Sequence, residues 1–152
     1  YNRNHLLDEM LSYQKDFQNI NHNNLVSNEN KVDQDINIEN MKNIFKEASE
    51  NCFKAIEKNN LSPRSSINLF INNQFFFSLD FKSMKINSTE CTSEPFLNIF
   101  TDLKMMYKLL TGKLHWNDGA LSMKINWVRR PNIFDFDTYN TLTYLRVPFS
   151  KT

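Results

Sequence analysis

The chain has 152 residues, 18 basic and 17 acidic side chains for a formal net charge of +1, and a composition 40% hydrophobic and 13% aromatic. A globule of this size buries about 68–70% of its extended-chain surface, so it needs no disulfide or metal to hold it together. Near-neutrality excludes a global field that would draw the protein to nucleic acid or an anionic membrane, and only a local patch could do either.

Two glycines and four prolines exclude a linker-like or repeat-rich chain. Cys52, on an expected helix, and Cys91, in an expected loop, lack CxxC spacing and are too few for a secreted disulfide framework. A reducing, cytoplasmic setting with two unpaired thiols follows. No apolar run of about 18 residues and no signal peptide is present, so no membrane span is expected. The chain begins at Tyr1, as a piece of a longer or processed protein would.

From Tyr1 to about Asn19, Leu6, Leu7, Met10, Leu11 and Phe17 pattern an amphipathic helix. The asparagine-rich stretch from Ile20 to Asp35 has no periodicity and reads as a surface loop, so residues 1–35 form an arm and linker and residues 36–152 the main domain. Ile38, Met41, Ile44, Phe45, Ala48, Cys52, Phe53 and Ile56 then recur at three- and four-residue steps. They predict a helix to about Lys58, with Glu39 and Lys58 matching its dipole and Pro63 beyond its end.

The period then drops to two. Ile67–Ile71 and Gln74–Phe81 predict a hairpin, because Asn72-Asn73 tolerate the positive φ angles of a tight turn. Alternation puts Phe75, Phe77, Leu79 and Phe81 on one face, with Phe76 opposing them. Met84–Asn87 continues the second strand or adds a third, and Phe96–Phe100 is another.

The segment Asp102–Val128 contains both tryptophans. Thr101 or Asp102 can cap a helix carrying Leu103, Met106, Tyr107 and Leu110 on one face, with Met105 pointing away. Gly112 stops that helix. Asn117-Asp118-Gly119 reads as a turn, and Leu121, Met123, Ile125 and Trp127 alternate with Ser122, Lys124, Asn126 and Val128 as the clearest strand pattern in the chain. After Pro131, the residues Phe136, Tyr139, Leu142 and Leu145 predict a closing helix, capped by Asp135 or Asp137 and reaching Val147-Pro148. This order predicts an α+β, two-layer fold: a mixed, mostly antiparallel sheet of about five strands with helices on one face. The helix between Phe96 and Leu121 permits a parallel right-handed crossover.

The strand LNIF, the capped helix DLKMMYKLLTGKL and the alternating strand after Gly119-Ala120-Leu121 resemble the sterol carrier protein fold over residues 38–148. Arg129-Arg130-Pro131 stand where that family usually has a glycine, and Asn117-Asp118-Gly119-Ala120 replace its glutamine-glycine loop. The stretch GKLHWNDGALSMKINWVRRP also looks like the tail of multidomain metallo-β-lactamase-fold hydrolases that end in a sterol-carrier-like domain. The resemblance implies an apolar ligand held between sheet and helices, with Phe75, Phe77, Leu79, Met106, Leu110, Met123, Ile125 and Trp127 as its lining. It implies equally an accessory or dimerising role beside an upstream catalytic domain, and no catalytic residue. Taken without the resemblance, the same apolar residues are an ordinary core, whereas Met105, Met106 and Met123 favour an adaptable pocket because thioethers repack easily.

Polar candidates cluster near the second half of the chain. Arg129 and Arg130, with His115 and Trp116, could contact an anion, although strand alternation sends the two arginines to opposite faces. His115 with Asp118 is the one acid–base pair in view, and no nucleophile or orienting group accompanies it. His5, His22 and His115 have no metal-ligand spacing, and Gly112 and Gly119 cannot make a phosphate loop, so neither metal nor cofactor is expected. The reading is a non-catalytic sterol-carrier-like accessory or dimerisation domain with an apolar cavity. The alternatives are a stand-alone lipid or acyl-chain binding protein, and a small hydrolase or transferase using His115 and Asp118.

Overall fold

The computed structural model describes residues 36–148, so the arm and linker expected over residues 1–35 lie outside the described residues. Helix α1 spans Ile38–Asn59; Asn37 caps it by accepting the amide of Asn40, Glu39 and Lys58 sit at the matching dipole ends, and Asn60 closes it in the left-handed region. Its Met41, Phe45, Ala48, Ser49, Cys52 and Ile56 are buried, one stripe at helical spacing.

Five strands follow the order β3-β2-β1-β4-β5 across one sheet: β1 Ser66–Ile71, β2 Gln74–Asp80, β3 Lys85–Asn87, β4 Phe96–Thr101 and β5 Asn126–Arg130. The expected hairpin is β1–β2, turned by Asn72 and Asn73 at φ 51° and 62°. β1 and β4 pair in parallel; the remaining neighbours are antiparallel. Ile67, Leu69, Leu79, Leu97 and Ile99 form a solvent-excluded layer against α1, where Phe45 stacks on Phe77 at 5.1 Å between ring centroids. The fold is thus α+β. Among the described residues no helix is long and apolar enough to cross a membrane.

The other sheet face is polar at its centre. Asn68 donates to the carbonyl of Cys91 and to Asn98 Oδ1 and accepts the amide of Cys91, while Ser78 donates to the carbonyl of Thr89. The segment between β3 and β4 therefore folds across this face, and the buried polar groups keep their partners.

Phe75 does not share a face with Phe77 and Leu79. The register passes from Leu69 opposite Phe77 to Phe70 opposite Phe75, so Phe76 is an extra residue in a β-bulge. Phe75 is turned to the reverse face, where it meets Phe70, and Phe76 joins Phe77 against Phe45.

After β4 comes α2, Leu103–Leu110, capped as expected by Asp102, which accepts the amide of Met105. Met105 and Met106 are both buried. Gly112, at φ 75°, reverses the chain. The residues expected as a turn then form a helix, α3, Trp116–Leu121. His115 caps it through Nδ1, and Ser122 closes it by donating to the carbonyl of Gly119.

A helix fits there because Gly119 has no side chain. A Cβ at that position would come within 2.9 Å of Leu109 Cδ2 and Ile125 Cδ1, so the missing atom lets α3 press against α2 and the approach to β5. The strand is correspondingly shorter than expected and begins at Asn126. The α2–α3 pair brings the chain back to the end where β4 stopped, marked by Thr101 Oγ1 donating to the carbonyl of Lys124. β5 is therefore antiparallel to β4, and no parallel crossover occurs at this place.

The last helix, α4, covers only Phe136–Leu142. Beyond it the chain threads between α1 and α2. Asn51 donates to the carbonyls of Tyr144 and Arg146, Trp116 Nε1 donates to that of Leu145, and the Val147 amide to that of Leu110.

Candidate functional site

Edge strand β5 carries the site. Trp127 and Arg129 lie opposite Ile99 and Leu97, so both project from the helix-bearing face, and Val128 and Arg130 project from the other. With no strand beyond β5 among the described residues, the first pair borders an open groove of about 600 Å³, walled by Ala120, Trp127, Phe134 and Tyr139 and reached also by Asn132 and Arg130. The volume is in the range of small-molecule sites.

The aromatic wall is continuous. Trp127 sits 5.6 Å from Tyr139 and 6.5 Å from Trp116, and Tyr139 stacks on Phe134 at 4.7 Å between centroids. Arg129 is half-buried against it: Nε donates to Asn132 Oδ1 at 2.8 Å, Nη1 donates to the Tyr139 hydroxyl at 3.5 Å, and the guanidinium lies 5.8 Å from the Phe134 ring centre. These contacts hold the cation in one orientation. Among the described residues the guanidinium's other N–H groups have no hydrogen-bond partner.

A second depression, of about 530 Å³, lies on the far side of Phe134 and includes Arg64, Pro95, Ile133, Asp135, Phe136 and Asp137. Its two carboxylates are spoken for. Asp135 accepts the amide of Arg64 and the hydroxyl of Thr138, and Asp137 accepts the amide of Ser62. Burial raises the Asp135 pKa, but hydrogen bonds from Thr138 and from the amides of Arg64, Thr138 and Asp137 outweigh it and hold the carboxyl below its ordinary value.

The residues expected to line a cavity separate into groups. Leu79, Met106, Leu110 and Ile125 are buried in the layer between sheet and helices, with Phe77 half-buried beside them. Phe75 is on the reverse face. Met123 is 79% exposed at φ 59°, in the turn between α3 and β5, and does not border the groove; Leu121, from the same expected alternation, is 82% exposed. Trp127 alone of the set borders the groove.

The polar candidates divide as sharply. Trp116 is buried with its indole N–H given to Leu145, so it is a structural anchor and contacts no solvent-borne anion. His115 is exposed, and its Nδ1 is occupied as the α3 cap. Asp118 is exposed in the first turn of α3, and among the described residues no group of three or more His, Cys, Asp or Glu could hold a metal. Cys52 is inert, its thiol pushed up to about 12 by burial. Phe134 and Tyr139 were missed because they follow the strand and belong to a loop and a helix whose placement over Trp127 has no local sequence signal.

No family model and no curated protein matches the chain. Two solved structures are similar to it. One is sterol carrier protein-2 from Aedes aegypti in complex with the C16 fatty acid palmitate, with a TM-score of 0.49 and 14% identity over 70% of this chain and 96% of that one. The other is sterol carrier protein 2-like 2 from Aedes aegypti, at a TM-score of 0.46 and 18% identity over 67% and 92%. Both carry the family name that the motifs around Asp102–Leu121 resemble; the metallo-β-lactamase-fold context finds no support in them.

Proposed function

We propose that the chain is a non-catalytic binding domain for an amphipathic molecule with an apolar chain and an anionic end. The apolar chain lies along Trp127, Phe134 and Tyr139, and the anion meets Arg129. What supports this reading is the half-buried guanidinium itself: it is oriented by Asn132 and Tyr139, backed by aromatic rings, and has donors left over. Such a fork suits a carboxylate or phosphate, and a preset side chain loses less entropy on binding.

The test is titration with a long-chain fatty acid, followed by NMR. Shifts confined to the Trp127 indole, Arg129, Phe134 and Tyr139 are expected. Shifts centred on Leu79, Met106 and Leu110 would place the ligand between sheet and helices instead, and no shift at saturating lipid would refute the reading.

An accessory or dimer-forming role in a larger protein, beside a catalytic domain, is the second reading. It is favoured by β5 being an edge strand to whose outer side no strand pairs among the described residues. Analytical ultracentrifugation over a concentration series tests the dimer.

A further inference from the structure

The loop between β5 and α4, together with the first residue of α4, presents apolar side chains outward, and of these only Phe134 also walls the groove. Ile133, Phe134 and Phe136 are 69%, 58% and 67% exposed, while the interleaved Asp135 and Asp137 turn inward onto the Ser62–Ser65 backbone. Isolated exposed hydrophobics are ordinary, but three large ones on one fastened loop are a patch. The two carboxylates, which would face an anionic surface unfavourably, are thereby turned onto backbone N–H donors instead of outward. Arg64 and Arg130 border the same loop, exposed and without an ion pair among the described residues.

We infer that this loop docks the domain on an anionic lipid bilayer. Ile133, Phe134 and Phe136 enter the interface between headgroups and acyl chains, and Arg64 and Arg130 lie against the lipid phosphates and carboxylates. Apolar insertion combined with neighbouring cations is what holds a peripheral protein on such a surface. Clamping by Asp135 and Asp137 means that little ordering entropy is lost when the loop inserts. Phe134 borders both the loop and the groove, so the docked face opens the groove toward the bilayer.

The experiment is co-sedimentation of the full chain with phosphatidylcholine vesicles, with and without phosphatidylserine. Binding is expected to require phosphatidylserine and to weaken with salt. Phe136→Ser should lower it about tenfold, and Arg64→Gln or Arg130→Gln roughly fivefold each. The double variant Ile133→Ser/Phe136→Ser removes only exposed side chains that do not border the groove. It should keep the wild-type melting curve and fatty-acid binding while losing the vesicles. No binding to either vesicle, undiminished binding by the double variant, or a lipid-free dimer that the double variant dissolves would each overturn the inference. Vesicle binding without any groove ligand would leave the inference standing and refute the proposed function.

Discussion

Replacing Arg129 by methionine keeps an apolar stem against Phe134 and removes the charge. Asn132 is exposed and the Tyr139 hydroxyl is only weakly engaged, at 3.5 Å, so water can take over both lost contacts and the fold should hold. Hydrogen bonds to charged groups contribute about 1.5–3 kcal/mol when shielded, and exposed ion pairs about 0–1 kcal/mol. A half-buried, oriented guanidinium in an open groove belongs between them, at about 1–2 kcal/mol, which is a roughly 5- to 30-fold loss of affinity for a fatty acid. The corresponding fatty alcohol has no carboxylate and should lose less than about threefold. Chain length reads the other half of the groove. Each methylene contributes about 0.8 kcal/mol when fully buried and about half that along an open wall, so removing two should weaken binding about fourfold in both wild type and variant. Calorimetric titration of acid and alcohol against both proteins measures all of these terms, with a thermal melt to confirm folding. Equal losses for acid and alcohol would show that Arg129 acts by packing, and no loss for either would remove it from the site.

Two further predictions concern the frame of the groove. Trp116→Phe retains the ring but leaves the Leu145 carbonyl without its donor in a buried position, so urea unfolding should show a loss of about 2 kcal/mol; a change below about 0.5 kcal/mol would refute that bond's role. Asp135 has a folded-state pKa below its ordinary value of 3.8, so its stabilisation is present above that pH and is lost as pH falls through the folded value. The stability gap between wild type and Asp135→Asn at neutral pH should therefore narrow below pH 3.8 in urea titrations, and a pH-independent gap would contradict the assignment.

Much of the fold was legible because it depends on neighbours in sequence. The buried stripe Met41–Ile56, the Asp102 cap, the Gly112 reversal and the Asn72-Asn73 hairpin each arise from contacts within a few residues, and these are the contacts that periodicity and capping rules describe. Leu121 to Trp127 alternates as cleanly as any strand, yet its first half ends a helix and a turn. Pairing with β4 reaches only to Asn126, and Gly119 is held in α3 by the close approach of Leu109 and Ile125. Phe75 changed face because one bulge residue inverts everything beyond it. Burial distinguished Trp116 from Trp127, and Arg129 from Arg130 was separated by which face of β5 meets the helices. The sequence by itself determined the helices, the hairpin and the set of apolar side chains, since those follow from local backbone preference and spacing. Only the tertiary structure decided which of those side chains meet at a groove, because Trp127, Arg129, Phe134 and Tyr139 come together through the packing of α4 over an edge strand, a long-range arrangement that no local pattern encodes.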